Sequence, residues 1–192
     1  MLNWLFPTYS SCLICNREDF SSLDMGFCED CFKSLPFAKD ANALFKYEGE
    51  AQRLIQDLKY NNKRYLAEVF ARLAGDKLKA ITYDVICFVP TRNKKIRGYN
   101  QAELIARAID ADKTVDALEK IKDTPSQTSL SREKRLINVK DCFRVVNQNA
   151  VKGRIVLLVD DVYTTGSTMG ECKNELLKAG ALSVCMFTVC KA

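Results

Sequence analysis

Between Arg154 and Thr168 the pattern of apolar and polar positions changes twice within fifteen residues. Ile155 to Val159 is an unbroken apolar run with three β-branched members, the pattern of a strand buried on both faces of a parallel sheet. Two acids, Asp160 and Asp161, end the run at the position where open α/β sheets meet their ligands. A small, hydroxyl-rich turn follows, and from Met169 the apolar positions recur at helical spacing through Cys172, Leu176 and Ala179. The order predicts strand, turn and helix.

Elsewhere the pattern alternates in the same way. Ala51, Leu54, Ile55 and Leu58 lie one helical face apart, and Leu66, Val69, Phe70, Leu73 and Leu78 continue on a second segment. Two amphipathic helices are therefore expected, broken near Asn61 and Asn62. Asp84 to Val89 reads as a strand stopped by Pro90, Ala102 to Ile109 as a helix, and Ser183 to Val189 as a β-rich run reached after Gly180 ends the preceding helix. Strands alternating with helices give an α/β fold with a parallel sheet flanked by helices.

The turn after Asp161 carries candidate chemistry. A helix N-terminus presents unpaired N–H groups and partial positive charge, so Thr164, Thr165, Gly166, Ser167 and Thr168 would form a phosphate cradle with extra hydroxyl donors. Asp160 and Asp161 are acceptors, suited to paired sugar hydroxyls, to magnesium, or to both. A ligand with a vicinal diol, a phosphate and bound magnesium is phosphoribosyl pyrophosphate (PRPP). The alternative is an ordinary junction whose threonine or serine caps the helix. The stretch lacks the Gly-Lys-Ser/Thr of a Walker loop and the further glycines of a dinucleotide fingerprint.

With 192 residues, the chain has room for one α/β domain and a small appendage. No apolar stretch is long enough for a membrane span and the start does not read as a signal peptide, so the expected compartment is the cytoplasm. There are no histidines, which excludes histidine bases, triads and ligands and leaves carboxylates, lysines, tyrosines and thiolates. A net charge of +5 permits anionic partners without demanding them.

Nine cysteines are present. Cys12-x2-Cys15 and Cys28-x2-Cys31 are matching knuckles with twelve residues between them, the spacing of a closed four-thiolate zinc site whose metal is structural. Gly26 suits the tight backbone before the second knuckle. Disulfide pairing is the rival reading. The other five cysteines are scattered in apolar context and read as packing residues. Trp4, Leu5, Phe6, Tyr9, Phe20, Phe27, Phe32 and Phe37 either form the finger's small core or offer rings for base stacking.

Three basic clusters complete the inventory. The loop from Thr91 to Gln101 holds four cations and no acid; Arg97, with Arg92 and Lys94, would face pyrophosphate at the same sheet edge. Lys59, Lys63 and Arg64 cluster at the break between the middle helices, as a solvated helix end or a nucleic-acid contact. Arg132, Lys134 and Arg135 end a long polar segment, which reads as a lid over pyrophosphate, a grip on an anionic strand, or a surface helix capped by Ser131.

The run from Val156 to Thr168 resembles the PRPP loop of type I phosphoribosyltransferases. Joined to the paired knuckles, to Arg97-Gly98-Tyr99-Asn100-Gln101-Ala102-Glu103 and to Gln127-x2-Leu130-x4-Arg135-x2-Asn138, it resembles the competence protein ComF family, with its ComFC and GntX-like members. That resemblance implies a phosphoribosyltransferase-type sheet over residues 81–192, a helical, hood-like connector over 41–80 and a zinc finger over 1–40. It implies PRPP with magnesium as ligand. The catalytic set would be Asp160, Asp161 and Arg97, whether or not catalysis occurs. It also implies single-stranded DNA as partner in natural transformation, with a cytoplasmic location beside the DNA-uptake machinery of the inner membrane. An active phosphoribosyltransferase with an unidentified acceptor is the alternative.

Overall fold

The computed structural model describes residues 10–18, 25–91, 98–122 and 141–192. In chain order the elements are α1 (Glu29–Ser34), β1 (Ala43–Lys46), α2 (Gly49–Tyr60), α3 (Leu66–Leu73), α4 (Gly75–Lys79), β2 (Val85–Phe88), α5 (Gln101–Ile109), β3 (Leu118–Lys120), β4 (Phe143–Val145), β5 (Ile155–Tyr163), α6 (Ser167–Lys178) and β6 (Ser183–Lys191). Four strands form one parallel sheet in the order β1-β6-β5-β2, while β3 and β4 form a separate antiparallel pair. The α/β class and parallel sheet expected from the pattern are present.

The apolar run of β5 is continuous because helices cover both its faces. Leu157 and Val159 enter a core with Leu54, Ile55 and Leu58 of α2, Val69 and Phe70 of α3, and Ile105 of α5. Val156 and Leu158 enter a second core with Met169, Cys172 and Leu176 of α6 and with Phe143. Alternate residues of a strand point to opposite faces, so one strand anchors both layers. Each fully buried leucine or valine contributes about 1.5–3 kcal/mol of apolar transfer energy.

The first expected middle helix is α2, and the second, Leu66 to Leu78, is divided at Ala74 into α3 and α4; the break after α2 has a backbone cause. Asn61 caps α2, and Asn62 takes a left-handed conformation with φ of 54°, which a helix cannot continue through. The pattern did not announce β1. It lies in the stretch read as helical, yet it pairs with β6 through Ala43, Phe45 and Lys46. A four-residue strand with three consecutive buried positions carries too little periodicity to distinguish it.

Residues 98–101 fasten three elements together. The Tyr99 hydroxyl donates to the Leu58 carbonyl of α2 at 2.5 Å, and the Asn100 amide donates to the Val89 carbonyl at 2.9 Å. Asn100 also caps α5 by accepting from the Ala102 N–H at 3.0 Å. The Arg64 guanidinium lies 4.4 Å above the Tyr99 ring. Tyr99→Phe keeps the ring and deletes a buried donor, so it should cost about 1 kcal/mol, read as a lower denaturant midpoint with unchanged slope.

Candidate ligand cavity and metal centre

At the carboxyl edge of the sheet β5 outlasts β2. Their pairing ends at Val159 with Phe88, whereas β5 continues beside β6 as far as Tyr163 with Lys191. Asp160 and Asp161 therefore sit on the strand itself, past the last rung of β2, rather than after the strand. One side of β5 is left open there, and a cavity of about 640 Å³ fills the space. Asp160, Asp161 and all of Thr164 to Thr168 line it.

Gly166 is the N-cap of α6, with φ of 76° and no side chain to cap with, and the Thr165 hydroxyl accepts from the Ser167 N–H at 3.4 Å. The expected alternative, a Thr or Ser N-cap, is absent. The hydroxyls of Thr165 and Ser167 lie 2.7 Å apart and bond each other, and the Gly170 N–H reaches back to the Gly166 carbonyl at 2.7 Å. The start of α6 is thus a glycine-capped, positively polarised end facing a cavity.

The acids differ in environment. Burial and the neighbouring Asp161 carboxylate push the Asp160 carboxyl up to about 8, against the pull of the Asp161 N–H and the Lys59 ammonium. That N–H bonds the Asp160 carboxylate at 2.8 Å. Asp161 is held from another part of the chain: the Lys59 ammonium, carried on α2, meets it at 2.8 Å, with side chains 18% and 15% exposed. Burial works against the charge of Lys59, yet Asp161 and, less strongly, Asp160 hold its pKa above the ordinary lysine value.

Lys59 thus points into the cavity, away from the surface cluster with which its sequence position groups it. Lys63 pairs with Asp57 at 2.9 Å, and Arg64 bonds Asn62 and stacks on Tyr99. Arg92, Lys94 and Arg97 lie outside the described residues, as do Arg132, Lys134 and Arg135. Tyr47, Gln56 and Tyr60 also line the cavity, as do Lys120 and Phe143; the sequence singled out none of Tyr47, Gln56, Lys120 and Phe143. Gln56 and Tyr60 sit with Lys59 on one side of α2, which is the only local sign that they share a site.

The Sγ atoms of Cys12, Cys15, Cys28 and Cys31 all lie within 4.8 Å of one another, close enough to hold one metal ion. Although burial opposes it, backbone N–H groups of Cys15, Cys28 and Ile14 hold the Cys12 thiol down to about 6, favouring the thiolate a metal requires. The Leu13 N–H joins the two knuckles by bonding the Gly26 carbonyl at 2.9 Å, and Gly26 has the positive φ that this turn needs.

A parallel sheet with an acid pair and an open helix start at its carboxyl edge defines a class. Residues 66–192 match the phosphoribosyl transferase domain family. Over 179 residues the chain is 30% identical to Competence protein F of Haemophilus influenzae, covering 86% of this chain and 78% of that protein. It is 29% identical over 177 residues to DNA utilization protein YhgH of Escherichia coli, covering 85% and 77%. With Competence protein ComFC of Streptococcus pneumoniae it shares 28% identity over 184 residues, covering 93% and 80%. The chain belongs to the competence protein F (ComF) family, built on a phosphoribosyl transferase domain. Among the described residues no helix is long and apolar enough to cross a membrane.

Proposed function

We propose that this protein binds PRPP with magnesium in the cavity at the end of β5 and, as a cytoplasmic ComF-family protein, handles single-stranded DNA during natural transformation. One observation carries the ligand: the glycine-capped start of α6, with the turn Thr164 to Thr168, and a pair of acids line the same cavity. The 5′-phosphate would lie on the α6 N–H groups and the hydroxyls of Thr164 to Thr168. The ribose diol would donate to Asp160 and Asp161, and magnesium would bind through the same acids and the diphosphate. Magnesium would neutralise the diphosphate as it binds. The DNA role is supported by the relatives, whose names speak of competence and DNA utilization.

A second reading, an active phosphoribosyltransferase, draws on the wall formed by Tyr47, Gln56 and Tyr60, which leaves a place for an acceptor beside the anomeric carbon. Displacement there passes through an oxocarbenium-like state, so positioning and leaving-group electrostatics would supply the rate. Release of pyrophosphate on mixing with PRPP and candidate acceptors would favour it.

Calorimetric titration of intact protein and of Asp160→Ala/Asp161→Ala tests the ligand. PRPP affinity should fall at least about tenfold in the variant, the loss of one or more charged hydrogen bonds. Oligonucleotide binding should persist in both proteins and weaken as salt rises, because lysine and arginine contacts release counterions. Equal PRPP affinity in the two proteins would refute the acid assignment; no oligonucleotide binding at low salt would end the DNA role.

A further inference from the structure

We propose that Lys59 is the residue that receives the diphosphate arm of the ligand, leaving Asp161 as the ligand enters. This rests on the PRPP reading of the cavity and deepens it.

The cavity has two sides. α6 packs on the face of β5 that carries Val156 and Leu158, and α2 on the face that carries Leu157 and Val159. The cavity straddles the end of the strand between the two layers. Its phosphate cradle comes from α6, and Lys59 enters from α2, on the opposite side. In a ribose ring C1 and C4, the carbon that carries C5, flank the ring oxygen on opposite sides. A ligand whose 5′-phosphate lies on the α6 start and whose diol faces the acids therefore directs its C1 substituent toward the α2 side.

Charge supports the same assignment. The described residues lining the cavity include two cations, Lys59 and Lys120. Lys120 is carried by β3, whose Leu118 packs with Phe143 and Met169 in the α6-side core, so it belongs to the phosphate side. Lys59 is the described cation of the other side.

The ion pair is an expensive way to hold α2 in place. Removing an ammonium and a carboxylate from water costs more than packing two apolar side chains of the same size, and α2 already has Leu54, Ile55 and Leu58 fully buried in the core shared with Leu157 and Val159 of β5. A cation kept beside the acid in the absence of ligand is instead ready to exchange partners. When the diol occupies Asp161, the ammonium is freed for the diphosphate within the reach of a four-carbon side chain.

The test compares two ligands that differ only in the diphosphate. PRPP and ribose 5-phosphate are titrated calorimetrically into the intact protein, Lys59→Met, Lys59→Gln and Lys59→Arg, with thermal melting as a check on folding. Lys59→Met should lose roughly tenfold to a hundredfold in PRPP affinity, as a charged hydrogen bond requires, with ribose 5-phosphate affinity unchanged. Lys59→Arg should retain most of the PRPP affinity. Lys59→Gln keeps a hydrogen bond to Asp161 without charge, and carries the same PRPP-selective loss if the methionine variant does not fold. Equal weakening of both ligands would make Lys59 a structural tie and overturn the proposal, as would unchanged affinity for both. A parent protein that binds neither ligand would overturn the PRPP reading itself, and this inference with it.

Discussion

Stripping the metal from the four-cysteine site is expected to unfold the finger and to lower the stability of the whole chain by several kcal/mol. In finger peptides zinc contributes roughly 10–16 kcal/mol of apparent binding energy, which is folding energy when the apo segment has no core of its own. Here the finger is also wired into the main domain. Phe27 is fully buried in the core that contains Phe45 and Phe70, and Phe32, Phe37 and Phe45 follow one another at centroid distances of 5.5 and 5.0 Å. The Ile14 carbonyl accepts from the Arg53 guanidinium of α2 at 2.8 Å. Loss of the finger would therefore uncover apolar surface on the domain. Metal analysis should find one zinc per chain, Cys28→Ser should remove it, and both Cys28→Ser and chelator should lower the melting temperature. Purified, folded protein without zinc, indifferent to chelator, would sink the expectation.

The second large effect is expected at Gly166. A methyl there would stand 2.1 Å from the Tyr163 hydroxyl oxygen and 2.5 Å from the ring carbon that bears it, on a backbone with φ of 76°. The left-handed conformation costs an alanine roughly 1–2 kcal/mol, and the overpacking adds about 1–3 kcal/mol unless the tyrosine moves. Gly166→Ala should therefore lower stability by about 2–5 kcal/mol and weaken PRPP binding, because the displaced turn carries the phosphate cradle. Adding Tyr163→Ala removes the clash and should recover the steric part, leaving the backbone part. A single variant as stable as the parent would show that the turn has another conformation available.

What could be read from the chain depended on how local the cause was. β5, the turn and α6 are contiguous, so a strand pattern, two acids and a helical pattern stood in order; only the strand's continuation through Asp160 to Tyr163 escaped, because β6 pairs with polar residues as readily as with apolar ones. The finger was legible from spacing alone, and its four sulfurs do come together. Lys59 was not legible as a cavity residue. Its partner lies 102 positions away, and nothing near Lys59 distinguishes it from a solvated helix end. Strands β3 and β4 have three residues each, and their cross-strand pair, Glu119 with Arg144 at 2.7 Å, is separated by 25 positions, beyond the reach of a local pattern. Tyr99 and Asn100 stood out in a motif, but their task is to join α2, β2 and α5.

The segment leaving the finger has one more role. Phe37 bridges Phe45 in the antiparallel sense, with the Ala38 N–H bonding Leu44 and the Lys46 N–H bonding Pro36, so this segment covers the side of β1 that β6 does not. An uncovered edge strand is a template for pairing with another chain, and this one carries Ala43, Leu44 and Phe45. The segment after the four-cysteine site thereby shields this edge of β1. Its loss would be felt first in solubility, as molecules begin to add strands to one another along β1.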